Sequence, residues 1–285
     1  MTTSPADQVK VAFLGVGRMG APMLKCVLEK GFQATLYDPF EQALAPFITD
    51  YPQLAQVAAS PAEAARAADV IEIVVNTNEQ LLEACLGPNG VFAGCKPGSI
   101  VLVHSTVSHE TLEHLGKIAT EQGVHVLDAM VSGAMGHLSI PNLAVMVGGD
   151  RGSFVRAKPV MDTYGSMVLH LGEMGAGLDA KLAINLLRYL SMLAGTEAAR
   201  LADHTGLSPE TLSQLVAHTQ CNAFFGNFPK LRAMAPADPK RKPQVDSELA
   251  QKDLKAALQR AAKVGLQLPT VEFAVGRMPD LWGAE

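Results

Sequence analysis

Apolar residues in the first 170 or so positions fall in short blocks separated by polar or glycine-bearing segments. Val9–Leu14, Gln33–Tyr37, Val70–Val75, Ile100–Val103 and Val124–Leu127 are too short for helices, and most carry little that is polar. That is the signature of strands covered on both faces of a sheet. Between them the apolar spacing is helical. Met19–Lys30 is closed by Gly31. Ser60-Pro61-Ala62-Glu63 opens a helix with Ser60 as cap, proline in the first position and Glu63 placed for a capping box. Ser108 caps a helix ending near Gly123, and Asn142–Val147 and Met167–Leu171 bracket another. Alternation on this scale predicts a doubly wound parallel sheet.

The texture changes at Gly172-Glu173-Met174-Gly175-Ala176-Gly177. Beyond it a Leu- and Ala-rich helical pattern runs from about Leu178 to His204. Further helices are predicted from Ser208-Pro209, across Val245–Val264 and near the C-terminus, with Ala235–Pro243 as a surface loop. The boundary is placed at residue 173: a sheet domain over 1–173 and an all-helical domain over 174–285, opened by a long inter-domain helix. A chain of 285 residues is long for one core, which agrees with two domains.

Composition narrows the possibilities. Hydrophobic content of 48% with 18% charged residues excludes wholesale disorder. A net charge of −5 argues against a nucleic-acid partner. The polar start, Met1–Gln8, is no secretory signal, and no later stretch is apolar enough for a membrane span, so a cytoplasmic protein is expected. Cys26, Cys85, Cys95 and Cys221 match no zinc spacing and read as reduced thiols. The eight histidines are scattered, and no metal is expected.

The first strand runs straight into Gly15-Val16-Gly17-Arg18-Met19-Gly20. In a dinucleotide site Gly15 permits the tight turn, Gly17 lets the backbone approach a pyrophosphate, and Gly20 lets the helix pack on the strand. The phosphates then sit on the free N–H groups of the helix N-terminus. Asp38 ends the second strand, where an acid accepts hydrogen bonds from the adenosine ribose hydroxyls and repels a 2′-phosphate. This favours NAD, with NADP possible. Standing before Pro39, Asp38 also suits a turn.

From Gly15 to Met23 the chain resembles the β-hydroxyacid dehydrogenases, the group of 3-hydroxyisobutyrate dehydrogenase and tartronate semialdehyde reductase. Three further segments match in order: Asp128-Ala129-Met130-Val131-Ser132-Gly133, Gly175-Ala176-Gly177 through Lys181 to Asn185, and Lys252-Asp253-Leu254. The resemblance implies a Rossmann domain joined by a long helix to a helical domain, with hydride transfer between a nicotinamide cofactor and a small 3-hydroxy acid or its carbonyl counterpart. It implies Lys181 as the catalytic residue, with Asn185 four residues on and on the same helix face. Desolvation in a closing cleft would disfavour the charged lysine and suit it to acid–base work. It implies Ser132, Gly133 and Ala134 as the turn holding the substrate carboxylate. Gly15, Gly17, Arg18, Met19, Gly20, Asp38, Val75, Asn76, Thr106 and Lys252 are implied around the cofactor. Taken singly, Lys181 and Lys252 also read as surface lysines of helices, and Ser132-Gly133 as a plain turn.

Departures cluster near the substrate. Ala134 replaces a usual glycine, Met130 a usual proline, and Pro141-Asn142 a common Gly-Thr pair. Ile184 stands in place of an asparagine and Val245 of an aromatic. His104 stands where the family often has an acid, and His137 adds a possible polar contact in the loop. Competing functions are the same chemistry on a phosphonate or phosphorylated anion, an imine reductase, and a non-catalytic nucleotide-binding protein. The presence of Lys181 argues against the last two. The apolar helices imply self-association into a homodimer or homotetramer.

Overall fold

In the computed structural model, which describes residues 9–133, 142–219 and 243–282, eight strands form one sheet in the order β3-β2-β1-β4-β5-β6-β7-β8. They are β1 Val11–Leu14, β2 Ala34–Tyr37, β3 Ala55–Val57, β4 Val70–Ile73, β5 Ile100–Val103, β6 His125–Ser132, β7 Leu143–Gly148 and β8 Gly165–Gly172. The first six run parallel, with Val11 beside both Ala34 and Val70. β7 departs from the expected parallel sheet. It pairs antiparallel with β6, Asp128 opposite Gly148 and Ser132 opposite Ala144. Only residues 133–142 join the two strands, too few for the crossover that a parallel pair requires. β8 then returns parallel to β7 through the helix Arg151–Met161.

The expected caps are present. Ser60 Oγ accepts from Glu63 N–H at 3.2 Å, as does Ser108 Oγ from Thr111 N–H. The Glu63 carboxylate reaches back to Ala59 N–H at 2.7 Å, one residue before the cap. Sequence reading passes over β3 and the short helices Ala45–Asp50 and Val91–Gly94, which are too brief to show a period. It also passes over Asn78–Leu86, capped by Thr77.

The chain divides into two compact units, Met1–Lys181 and Leu182–Glu285. The first is centred on buried Phe13, Leu24, Leu28, Leu36, Leu127 and Val145. Each large apolar side chain so buried contributes about 1.5–3 kcal/mol. The helix Ala176–His204 begins in this unit and continues into the second. There it is followed by Pro209–His218, Pro243–Lys263 and Pro269–Trp282. The second core packs Ala250 and Leu254 with Val271, Ala274 and Met278, flanked by Leu186, Leu190 and Leu193. Cys26, Cys85 and Cys95 are free thiols, and burial pushes those of Cys85 and Cys95 up to about 12. Cys221 and most of the expected loop Ala235–Pro243 lie outside the described residues; Pro243 itself opens a helix.

One polar cluster lies inside the first unit. Glu72 of β4 is fully buried and meets His104 Nε2, while His104 Nδ1 donates to the Ala129 carbonyl at 2.6 Å. The buried Tyr164 hydroxyl donates to the Glu72 carboxylate at 3.1 Å. Burial and the adjacent Glu72 charge raise the Tyr164 hydroxyl well above its ordinary range. Removing one member of such a buried pair strands its partner, whereas removing both does not. Glu72→Ala and His104→Ala are each expected to destabilise by about 3–5 kcal/mol. Glu72→Leu combined with His104→Leu should cost far less than that sum; additive losses in denaturant unfolding would contradict the coupling.

Candidate active site

In a sheet whose strand order reverses, ligands bind beyond the strand C-termini at the point of reversal. Here that point lies between β1 and β4. Because β1, β2, β4, β5 and β6 are parallel, their C-terminal ends share one sheet edge. That edge gathers Gly15, Gly17, Arg18 and Met19 after β1, Asp38 after β2, Val75 and Asn76 after β4, Thr106 after β5, and Ser132 and Gly133 at the end of β6. Ala134 and His137 lie outside the described residues.

The three glycines of the loop are required for different reasons. Gly15 has φ +90°, and a Cβ there would sit 2.1 Å from the Val74 carbonyl oxygen. A Cβ at Gly20 would lie 2.0 Å from the Gly15 carbonyl oxygen. Both are demanded by the packing of strand and helix. A Cβ at Gly17 would meet no protein atom within 4 Å, and the residue is exposed. Space is thus left in front of the Gly17 backbone, beside the start of the helix Gly20–Glu29, as a pyrophosphate requires.

Asp38 does more than end a strand. Its Oδ2 accepts from Val16 N–H at 2.7 Å, and its Oδ1 from Phe40 N–H at 2.8 Å. The second bond is the turn expected before Pro39. The first ties the acid to the glycine loop, a contact without a sequence signal. Val75 and Asn76 stand past the end of their strand, which closes at Ile73. The Val74 carbonyl faces Gly15, and Val75 N–H donates to Ser105 Oγ at 2.9 Å, so neither continues the ladder. His104 is enclosed in the buried cluster with Glu72.

β6 carries the remaining pieces of the first unit. Lys181 Nζ donates to the Val131 carbonyl at 2.8 Å, immediately before Ser132 and Gly133. Three residues before Val131, Asp128 is fully buried, accepting from Gly175 N–H at 2.7 Å and Leu178 N–H at 2.8 Å. Burial raises its carboxyl above the ordinary range, opposed by those backbone donors. In the second unit Asn185, buried, donates through Nδ2 to Asp253 Oδ2 at 2.8 Å, and Lys252 Nζ stands 3.7 Å from Asp253 Oδ1. Asn185 Oδ1 is left without a hydrogen-bond partner among the described residues. Sequence reading gave no role to Asp128, to Asp253 or to the Val131 carbonyl. The first two stood inside recognised motifs; a backbone carbonyl leaves no trace in sequence.

A family profile described as the NAD binding domain of 6-phosphogluconate dehydrogenase matches residues 10–172. A second, described as NAD-binding of NADP-dependent 3-hydroxyisobutyrate dehydrogenase, matches residues 175–280. The chain is 36% identical to an uncharacterised oxidoreductase of Mycobacterium tuberculosis, covering 98% of this chain and 94% of that protein. It is 35% identical to the mitochondrial 3-hydroxyisobutyrate dehydrogenase of Bos taurus over 75% of this chain and 62% of that one. Among solved structures, the 3-hydroxyisobutyrate dehydrogenase of Mycobacterium tuberculosis with L-serine superposes with a TM-score of 0.79 at 28% identity, covering 95% of this chain and 93% of that one. The chain belongs to the β-hydroxyacid dehydrogenase family. It is an NAD(P)-dependent dehydrogenase or reductase acting on a CH–OH group. Among the described residues no helix is long and apolar enough to cross a membrane.

The glycine geometry separates folding from binding. Gly17→Ala is expected to leave stability within about 0.5 kcal/mol while weakening NADH binding roughly tenfold or more, about 1.4 kcal/mol. Thermal unfolding and fluorescence titration together check this. A stable Gly17→Ala protein with unchanged NADH affinity would place the pyrophosphate elsewhere.

Proposed function

We propose that the chain interconverts a small 3-hydroxy acid and its carbonyl counterpart, with Lys181 as the proton-transfer group and NAD(H) preferred over NADP(H). The observation carrying this reading is the 2.8 Å bond from Lys181 Nζ to the Val131 carbonyl, next to Ser132 and Gly133. A proton-transfer group and the donors for a carboxylate thereby meet at one strand end. L-serine, named with the Mycobacterium tuberculosis structure, carries a hydroxyl on the carbon β to its carboxylate, as this substrate class does.

The space before Gly17 and the Asp38 carboxylate suit the pyrophosphate and adenosine ribose of a nicotinamide nucleotide, which when bound accepts or supplies the hydride. The Ser132 hydroxyl and Gly133 N–H hold the substrate carboxylate. As the free amine, Lys181 takes the hydroxyl proton on Nζ while the carbinol carbon gives up its hydride. In reduction its ammonium returns that proton to the developing alkoxide. Asn185 orients the reacting group without carrying the proton. The proposed division is a nucleotide-binding domain over residues 1–173 and a substrate and dimerisation domain over 174–285. Self-association into a dimer or tetramer belongs to the same reading, and sedimentation at micromolar concentration showing only single chains would remove that part.

The test is a panel of hydroxy and keto acids followed at the nicotinamide absorbance with both cofactors. On the best substrate, Lys181→Met should lower kcat by roughly 10²–10⁴-fold and leave NADH affinity nearly unchanged. Asn185→Ala should cost less, and Ser132→Ala should raise KM more than it lowers kcat. Asp38→Asn, which keeps an acceptor for Val16 N–H, should narrow the preference for NADH. A Lys181→Met protein with full turnover would overturn the lysine role; tighter NADPH binding by the unmodified protein would overturn the cofactor choice.

A further inference from the structure

We propose that Asp128 is a positioning residue for Lys181: it holds the start of the long helix against β6 and so fixes where the lysine amine stands along that strand. This rests on the reading of Lys181 as the proton-transfer group. The first N–H groups of a helix have no partner within it. Here Gly175 N–H, just before the helix Ala176–His204, and Leu178 N–H in its first turn both end on the Asp128 carboxylate. Lys181 follows Leu178 by three residues, and its acceptor Val131 follows Asp128 by three. One strand therefore holds the helix at two places, and the first sets the reach of the second.

Backbone closes around the carboxylate at two glycines. A Cβ at Gly148 would lie 2.5 Å from its Oδ1, and one at Gly177 would lie 2.8 Å from its Oδ2 and 2.3 Å from the Met146 carbonyl oxygen. Both glycines press backbone onto the side chain, so the bond pattern can change only if the helix start moves. Asparagine at 128 keeps one acceptor and turns an NH2 toward a backbone donor, which forces such a shift. His109 Nε2 also stands 3.0 Å from Asp179 Oδ1, a second polar contact at the helix start within the same unit. Burial raises the Asp128 carboxyl while the helix donors oppose it.

The experiment compares the unmodified full chain with Asp128→Asn in the absence of cofactor. Trace labelling by acetic anhydride, read by mass spectrometry, gives the reactivity of Lys181 relative to the other lysines. Asp128→Asn should raise Lys181 labelling several-fold and leave the other lysines unchanged. On the best hydroxy acid of the panel it should lower kcat by roughly 10–10²-fold, the size expected of a small misplacement. In a Lys181→Met background it should lower kcat no further, because the group it places is gone. Unchanged Lys181 labelling, an equal kcat loss in both backgrounds, or an Asp128→Asn protein that does not fold would each overturn the assignment. Full turnover by Lys181→Met would remove the proton-transfer reading, while the labelling still decides whether Asp128 places the lysine.

Discussion

The buried carboxylate of Asp128, accepting Gly175 and Leu178 N–H at the start of a 29-residue helix, is the interaction on which the C-terminal end of β6 depends. A carboxylate out of water is unfavourable unless donors surround it, and the unpaired N–H groups of a helix start are equally unfavourable without an acceptor. Each supplies what the other lacks. The approach this requires is possible only because positions 148 and 177 are glycine. At Gly177 the need for glycine is thus set in part by a side chain more than forty positions earlier.

A second buried polar cluster shapes the middle of the sheet. Glu72 of β4, His104 after β5, the Ala129 carbonyl of β6 and Tyr164 before β8 are linked by hydrogen bonds. An apolar core fixes volume but not register, whereas buried polar groups that each need a particular partner resist sliding of one strand past the next. His104 faces Glu72 on one neighbouring strand and reaches the Ala129 carbonyl on the other.

The nucleotide edge divides its work in a similar way. Gly15 and Gly20 answer to the fold, since any side chain there meets backbone at about 2 Å. In the proposed reading Gly17 instead serves the cofactor, since a Cβ there would meet no protein atom within 4 Å. Asp38 holds the loop through Val16 N–H whatever it binds, so its substitution tests loop geometry as well as the proposed ribose contact.

Much of this was legible in the sequence because it depends on local signals. Strand and helix periods, Ser60, Ser108 and Ser208 as caps, and the glycine spacing after β1 each act over a few residues. The ordered motifs carried the family and the cofactor class, and they are the source of the proposal for Lys181. Three-residue β3 left no period to detect, and the antiparallel turn of β7 followed from connection length, which composition does not encode. What only the tertiary structure decided are pairings across long separations. These are Asp128 with Gly175 and Leu178, Lys181 with the Val131 carbonyl, Asp38 with Val16, and Asn185 with Asp253. All but the last join a side chain to a backbone N–H or carbonyl that any residue could offer, so no residue type announces them. Sequence determined which groups exist and which elements bear them; chain reversal in three dimensions determined which of them meet.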